Sequence, residues 1–271
     1  MRRTAWVALF ACLALTGCNA RTPEPEPADY LSGTVPIGVN SDLPGWSLYR
    51  NGVWSGFDIA LGNWLAGELG FTPQYVPITT DERLKVLKRE DSPVKLVISN
   101  FSITDVRRDE VDFAGPYLSD AQGLMTLTGS PIGTPADIEG RAVCVVLGST
   151  GETRIFGAKI NSRPENTLDR CVQRLRAREV DAVSTDQVIL EGLASYASDL
   201  RVVPGMRVGS ERYGIGLPNN RPELCEYLSA ALTRFVDEEW TRKFGEYLPA
   251  SVPGDRKPNS RVLDPCEPAT P

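Results

Sequence analysis

Val94-Lys95-Leu96-Val97-Ile98-Ser99 runs directly into Asn100-Phe101-Ser102-Ile103-Thr104-Asp105-Val106-Arg107. The first six residues are a short β-rich run, and the polar stretch begins where such a strand would end. Upstream, Thr34–Val39 reads as another strand, and 56–69 as a helix with Phe57, Leu61, Trp64, Leu65 and Leu69 at helical spacing. Gly70 supplies its stop. A strand over 74–78 and a helix over 81–90 complete the alternation. Strands alternating with helices imply a parallel sheet covered on both faces. In such sheets ligands sit beyond the carboxyl ends of the strands.

After residue 120 the pattern restarts. A strand over 142–147 enters Gly148-Ser149-Thr150-Gly151 and a short helix. Then follow a helix over 168–178, a strand over 180–184, a helix over 187–196 and strands over 200–203 and 213–217. A helix over 221–236 has Pro222 in its first turn and Leu224, Leu228, Ala231, Leu232 and Phe235 along one face. The fold class is α/β, with two lobes, one inserted in the other. Past Pro249 the chain is polar and Pro-rich.

The 271 residues leave room for about two domains. Lys and Arg total 29 against 35 Asp and Glu, a charge of −6, which opposes nucleic-acid binding because phosphates require a basic face. There is no histidine, so Ser-His-Asp and Cys-His triads, HExxH zinc sites and a histidine base are excluded. No cofactor or metal is expected.

Arg2-Arg3 precede an apolar run over 5–15, too short to span a bilayer and sized for a signal peptide. It ends in Leu15-Thr16-Gly17-Cys18, which resembles the lipobox of bacterial lipoproteins and implies cleavage after residue 17 and lipidation of Cys18. Arg21-Thr22-Pro23-Glu24-Pro25-Glu26-Pro27 cannot pack a core, and residues 18–31 read as an extended tether. Removing residues 1–17 leaves 27 basic against 35 acidic side chains, or −8. The remaining Cys144, Cys171, Cys225 and Cys266 permit three connectivities. Pairing neighbours in the chain favours Cys144–Cys171 and Cys225–Cys266; a zinc site built from all of them is disfavoured because no CxxC is present.

Three features after the strands carry chemistry. Asn100 to Ser102 with Arg107 offers backbone N–H groups, hydroxyls and a guanidinium for a carboxylate. Gly148-Ser149-Thr150-Gly151 offers free N–H groups at a helix start. Asp186 lies at a strand end, where it is able to hold an ammonium. Each has a plainer reading: a surface cation, a tight turn, a helix cap. Together they match a zwitterion divided between two lobes.

The chain resembles the family-3 extracellular solute-binding proteins, the amino-acid receptors of ABC importers. The resemblance is carried by Gly56-Phe57-Asp58-Ile59, the stretch 98–107, Val111-Asp112-Phe113-Ala114-Gly115-Pro116-Tyr117, Val145 to Thr150 and Val180 to Asp186, in order across about residues 32–248. It implies a periplasmic binding protein of type II, two Rossmann-like lobes joined by two hinge strands near 116–124 and 213–217. The lobes would comprise 32–119 with 213–250, and 120–212, leaving 251–271 as a tail. By resemblance the α-carboxylate meets Arg107, Ser102 and Thr150, the ammonium meets Asp186 and the Asn100 carbonyl, and Ser149 and Asp42 are further expected ligand residues.

Ser41-Asp42-Leu43-Pro44-Gly45 and the placement of Cys144 and Cys171 are similar to the glutamate-binding branch. Thr80 and Arg83 fall where that branch holds a side-chain carboxylate, although Arg83 also fits a solvated helix face. Arg107 plus Arg83 minus Asp186 gives +1, complementary to glutamate or aspartate. Leu43, Trp46 and Phe101 compete to stack on the ligand. The family implies a non-enzymatic monomer outside the cytoplasm, anchored by lipid and partnered by ABC permease subunits or a membrane sensor. A dehydratase on the same fold would need Glu152 or Asp42 as its acid.

Overall fold

Val35, Ile37 and Val39 are buried in the strand Thr34–Val39, because β-branched side chains suit a sheet covered on both faces. That strand pairs in parallel with Thr72–Pro77 on one side and Leu96–Val97 on the other. The computed structural model describes residues 26–152, 159–249 and 254–266. The expected signal segment 1–17, Cys18 and the tether up to residue 25 lie outside the described residues. Helix Phe57–Leu69 packs against this half-sheet and ends at Gly70, whose φ of 76° is a left-handed cap. Helix Glu82–Lys88 follows.

In the second half, Ala142–Val146 pairs in parallel with Ala182–Asp186 and with Asn161–Glu165. Helices Leu168–Arg176 and Gln187–Ser195 pack on these strands. Two long strands join the halves. Asp112–Leu127 runs outward and Val208–Leu217 returns antiparallel to it, with Leu118 opposite Tyr213 and Asp120 opposite Glu211. Asp112–Leu127 also pairs antiparallel with Ala182–Asp186 and Leu200–Val202, and Val208–Leu217 touches Leu96–Val97. One mixed sheet therefore runs through both lobes, parallel at its ends and antiparallel in its middle. This is an α/β fold of two lobes joined by two hinge strands, as expected. Both hinge strands are longer than the runs 116–124 and 213–217.

Helix Pro222–Glu238 buries the five expected apolar residues. It packs on Phe57–Leu69 and on helix Trp240–Tyr247, which the apolar spacing did not announce. Phe57 sits at the centre, its ring against Trp46, Tyr117, Phe235, Trp240 and Phe244. Strand Asn161–Glu165 and the hairpin of Ser47–Arg50 with Val53–Ser55 were also unforeseen. The hairpin had a signal: Asn51-Gly52 both adopt positive φ, as a two-residue turn requires.

Two terminal expectations are corrected. Pro27–Tyr30 is a helical turn rather than extended tether, and Leu31 is fully buried. Lys95 lies over the Tyr30 ring at 4.8 Å and Arg221 over it at 5.2 Å, so the apolar pair Tyr30-Leu31 anchors the chain's entry into the lobe. In the tail, Gly254–Arg256 forms a helical turn against the hinge, because its buried Arg256 finds charged partners there. Both disulfides form in the expected pairing, with Cα–Cα distances of 5.5 and 5.6 Å.

Removing the Phe57 ring leaves a void at the meeting point of three helices and the hinge. Phe57→Ala should lower the unfolding free energy in urea by about 3–5 kcal/mol, without loss of the native circular-dichroism spectrum at low denaturant.

Candidate functional site

Asp58 is the first side chain of the site, although it lies beneath it. It sits in the first turn of helix Phe57–Leu69, completely buried, and accepts the Asn100 backbone N–H at 3.1 Å and the Tyr117 hydroxyl at 2.9 Å. Asn100 has a φ of 47°, a left-handed bend that asparagine tolerates better than most non-glycine residues. The hydroxyl of Ser99 bonds Asn40, just past the neighbouring strand Thr34–Val39, fixing the other side of the bend. The loop 99–102 is thereby aimed past the end of its strand. Burial pushes the Asp58 carboxyl up to about 7, against the hydrogen bonds from Tyr117 and Asn100 and the charge of Arg83. Sequence reasoning quoted Asp58 only as part of a motif and gave it no role.

A cavity of about 220 Å³ opens beside this loop. One lobe lines it with Asp42, Leu43, Thr80, Arg83, Asn100 and Ser102, the other with Ser149, Thr150 and Asp186 among others. Eight of the ten expected ligand residues therefore line one cavity: Asp42, Thr80, Arg83, Asn100, Ser102, Ser149, Thr150 and Asp186. Both polar atoms of the buried Asn100 amide lack a hydrogen-bond partner among the described residues, which marks this wall as shaped for a polar ligand.

Trp46 is not on that wall. Its indole is fully buried, edge-on to Phe57 and Tyr213, because the turn at Gly45 points it into the core. Phe101 is also buried, and of the three stacking candidates only Leu43 reaches the cavity. Arg107 lies one layer behind the wall. Its guanidinium donates to the carbonyls of Ser102 at 2.6 Å and Gly148 at 2.9 Å.

Arg83 is buried, not solvated. It donates to the carbonyls of Thr80 at 2.8 Å, Ser99 at 3.1 Å, Asn100 at 2.9 Å and, across the cleft, Gly148 at 3.2 Å. Both guanidinium groups lie over the Phe101 ring, Arg83 at 4.9 Å and Arg107 at 5.0 Å from its centre. Burial and then the Arg107 charge lower the Arg83 pKa to about 9, which leaves it cationic at neutral pH. The Asn100 carbonyl expected to meet an ammonium already accepts one of these bonds, with a second lone pair remaining.

Asp186 caps the strand Ala182–Asp186 and accepts the Tyr213 hydroxyl from the returning hinge strand. Burial raises its pKa well above the usual carboxylate range, and Glu211 raises it further; the Tyr213 bond opposes both. Two more acids face the cavity, Asp42 and Glu82, and Glu82 accepts the Thr79 N–H. The expected count of +1 omitted them. Glu152, a candidate acid for dehydration, is not on the wall; its carboxylate accepts the Gly148 N–H at 2.9 Å and closes the turn.

The profile of bacterial extracellular solute-binding proteins, family 3, matches residues 35–249. The chain is similar to the glutamate-binding protein GluB of Corynebacterium efficiens, 29% identical over 264 residues that cover 89% of this chain and 88% of that one. Among solved structures it is similar to an ancestral arginine-binding protein bound to arginine, 26% identical, covering 80% of this chain and 99% of that one, with a TM-score of 0.72. The solute receptor for L-cysteine of Neisseria gonorrhoeae shares the fold at a TM-score of 0.75, with 21% identity over 85% of this chain and 95% of that one.

The raised pKa of Asp58 has a stability consequence. An acid whose folded pKa exceeds its unfolded value of 3.8 contributes most below pH 4, and that contribution is lost as pH rises through about 7. Denaturant unfolding of the native chain and Asp58→Asn at pH 4, 6 and 8 should show the native chain losing stability relative to the variant across that window, then no further change.

Proposed function

The chain belongs to the bacterial extracellular solute-binding proteins, family 3, and from that premise we propose that it captures an amino acid with two carboxylates, glutamate or aspartate. It then presents that ligand to the permease subunits of an ABC importer. The observation that carries this reading is one cavity bordered by Arg83 and backed by Arg107 in one lobe and bordered by Asp186 in the other. Two buried like charges against one ring favour an anion beside them, and a zwitterion with a second carboxylate supplies it. The similarity to a protein named for glutamate binding supports the same choice.

In this reading Asp186 holds the ammonium, with the Tyr213 hydroxyl donating to orient the carboxylate. Ser102 and Thr150 serve the α-carboxylate with Ser149 beside them and the Arg107 charge behind them, while Arg83 and Thr80 serve the side chain. Both guanidinium groups already reach the Gly148 carbonyl of the opposite lobe. A ligand that adds contacts to both walls stabilises the closed arrangement in proportion to its preference for it. The mature chain would begin at Cys18, lipid-anchored outside the cytoplasm, with 32–119 and 213–250 forming one lobe and 120–212 the other.

A second reading rests on Asp42 and Glu82. Both residues line the same cavity, and carboxylates there would suit a side chain bearing N–H donors, an amide or guanidinium.

Isothermal titration separates the two. Glutamate or aspartate should bind at least about tenfold more tightly than glutamine or arginine. Asp186→Ala should abolish binding of every amino acid, and Arg83→Ala should weaken the acidic ligands more than the neutral ones. Tighter binding of glutamine or arginine to the native chain would reject the acidic assignment in favour of the second reading.

A further inference from the structure

Asp186 precedes helix Gln187–Ser195 as its N-cap residue, yet its side chain makes no capping bond. Aspartate at this position ordinarily accepts a backbone N–H from the first turn. Here Asp120, on the outgoing hinge strand, accepts the Val188 N–H at 2.7 Å instead. The substitution of one carboxylate for another leaves Asp186 to meet Tyr213 and the cavity.

Asp120 is itself buried and needs a counter-charge. The Arg256 Nε donates to Asp120 Oδ1 at 3.3 Å, and Nη2 donates to Glu191 Oε1 at 2.9 Å, one turn along the same helix. The Arg256 side chain is 4% exposed. Arg207 also approaches Asp120, at 3.7 Å, but is 39% exposed and screened. Arg256 belongs to the C-terminal segment, beyond residue 249 where the family match ends. That segment is tied down at its far end. The Asp264 N–H donates to the Gly115 carbonyl of the outgoing hinge strand at 2.7 Å, and its carboxylate pairs with Arg108 and Arg212. Cys266 is bonded to Cys225 in helix Pro222–Glu238.

We propose that Arg256 is a positioning residue for the ammonium site: by holding Asp120 as surrogate cap of helix Gln187–Ser195, it keeps the Asp186 carboxylate turned toward the ligand cavity. Without Arg256 the buried Asp120 loses its closest cation, and Asp186 becomes the nearest replacement cap for its own helix. A group added outside the family's common stretch then tunes binding without touching ligand. The inference rests on the amino-acid reading above, and specifically on Asp186 as the ammonium partner.

The test is titration of the full, disulfide-bonded chain with each of the twenty common L-amino acids, alongside R256Q, R256K, D120A and R256Q/D120A. For the amino acid bound most tightly, R256Q should weaken binding by about tenfold or more, and R256K should recover to within about threefold of native. D120A should match R256Q, and the double variant should lie within about twofold of either single one, because both act through one cap. Should R256Q not fold, D120A against R256K carries the same comparison. Native binding with R256Q unaffected, or losses that multiply in the double variant, overturns the inference alone. A native chain that binds no amino acid overturns the amino-acid reading and this inference with it.

Discussion

Two guanidinium groups of like charge converge on one carbonyl oxygen, that of Gly148, from the opposite side of the cleft. Burying two such cations together is costly unless their donors are satisfied and their charge is spread. The protein does both with neutral groups. Backbone carbonyls of residues 80, 99, 100 and 102 take the donors, and both cations rest on the Phe101 ring. The loop 99–102 is thus held in place by the same side chains that cross to the other lobe. Whatever enters the cavity meets a wall whose shape and charge depend on this arrangement.

The wall is supported from below as well. Asp58 and Tyr117 join a helix start to the outgoing hinge strand and hold the Asn100 backbone in its left-handed bend. Opposite, Asp120 takes over a capping task so that Asp186 is spared it. In both lobes a buried carboxylate stands behind a cavity-lining residue: Asp58 accepts the Asn100 N–H, and Asp120 caps the helix that follows Asp186. Each such carboxylate has a pKa raised by burial and held down by its hydrogen-bond donors. The site is therefore a second layer of acids as much as a first layer of contacts.

Much of this could be read along the chain. Short apolar runs ending in Asn100, Gly148 and Asp186 placed three polar groups at strand ends, and helical spacing identified the face of Pro222–Glu238 that is buried. Trp46 was misread because an aromatic in a loop near a ligand stretch has no local mark distinguishing a clamp from a core residue; only its packing on Phe57 and Tyr213 does. Arg83 was open between solvent and site for a similar reason. A charged residue on a short helix looks solvated until the carbonyls that accept its donors are located, and those lie 16, 17 and 65 residues away. The tail looked featureless because Arg256 and Asp264 acquire their partners from strands more than 50 residues earlier in the chain.

The alternation of strands and helices and the residue types that stand at strand ends are legible along the chain, since these follow from periodicity and local chemistry, whereas the four cysteines left three pairings open. Only the tertiary structure decided which carboxylate caps which helix, which arginine faces the cavity, and how the tail is held on the hinge. Those outcomes depend on burial and on hydrogen-bond partners distant in the chain, and neither is written in the spacing of neighbouring residues.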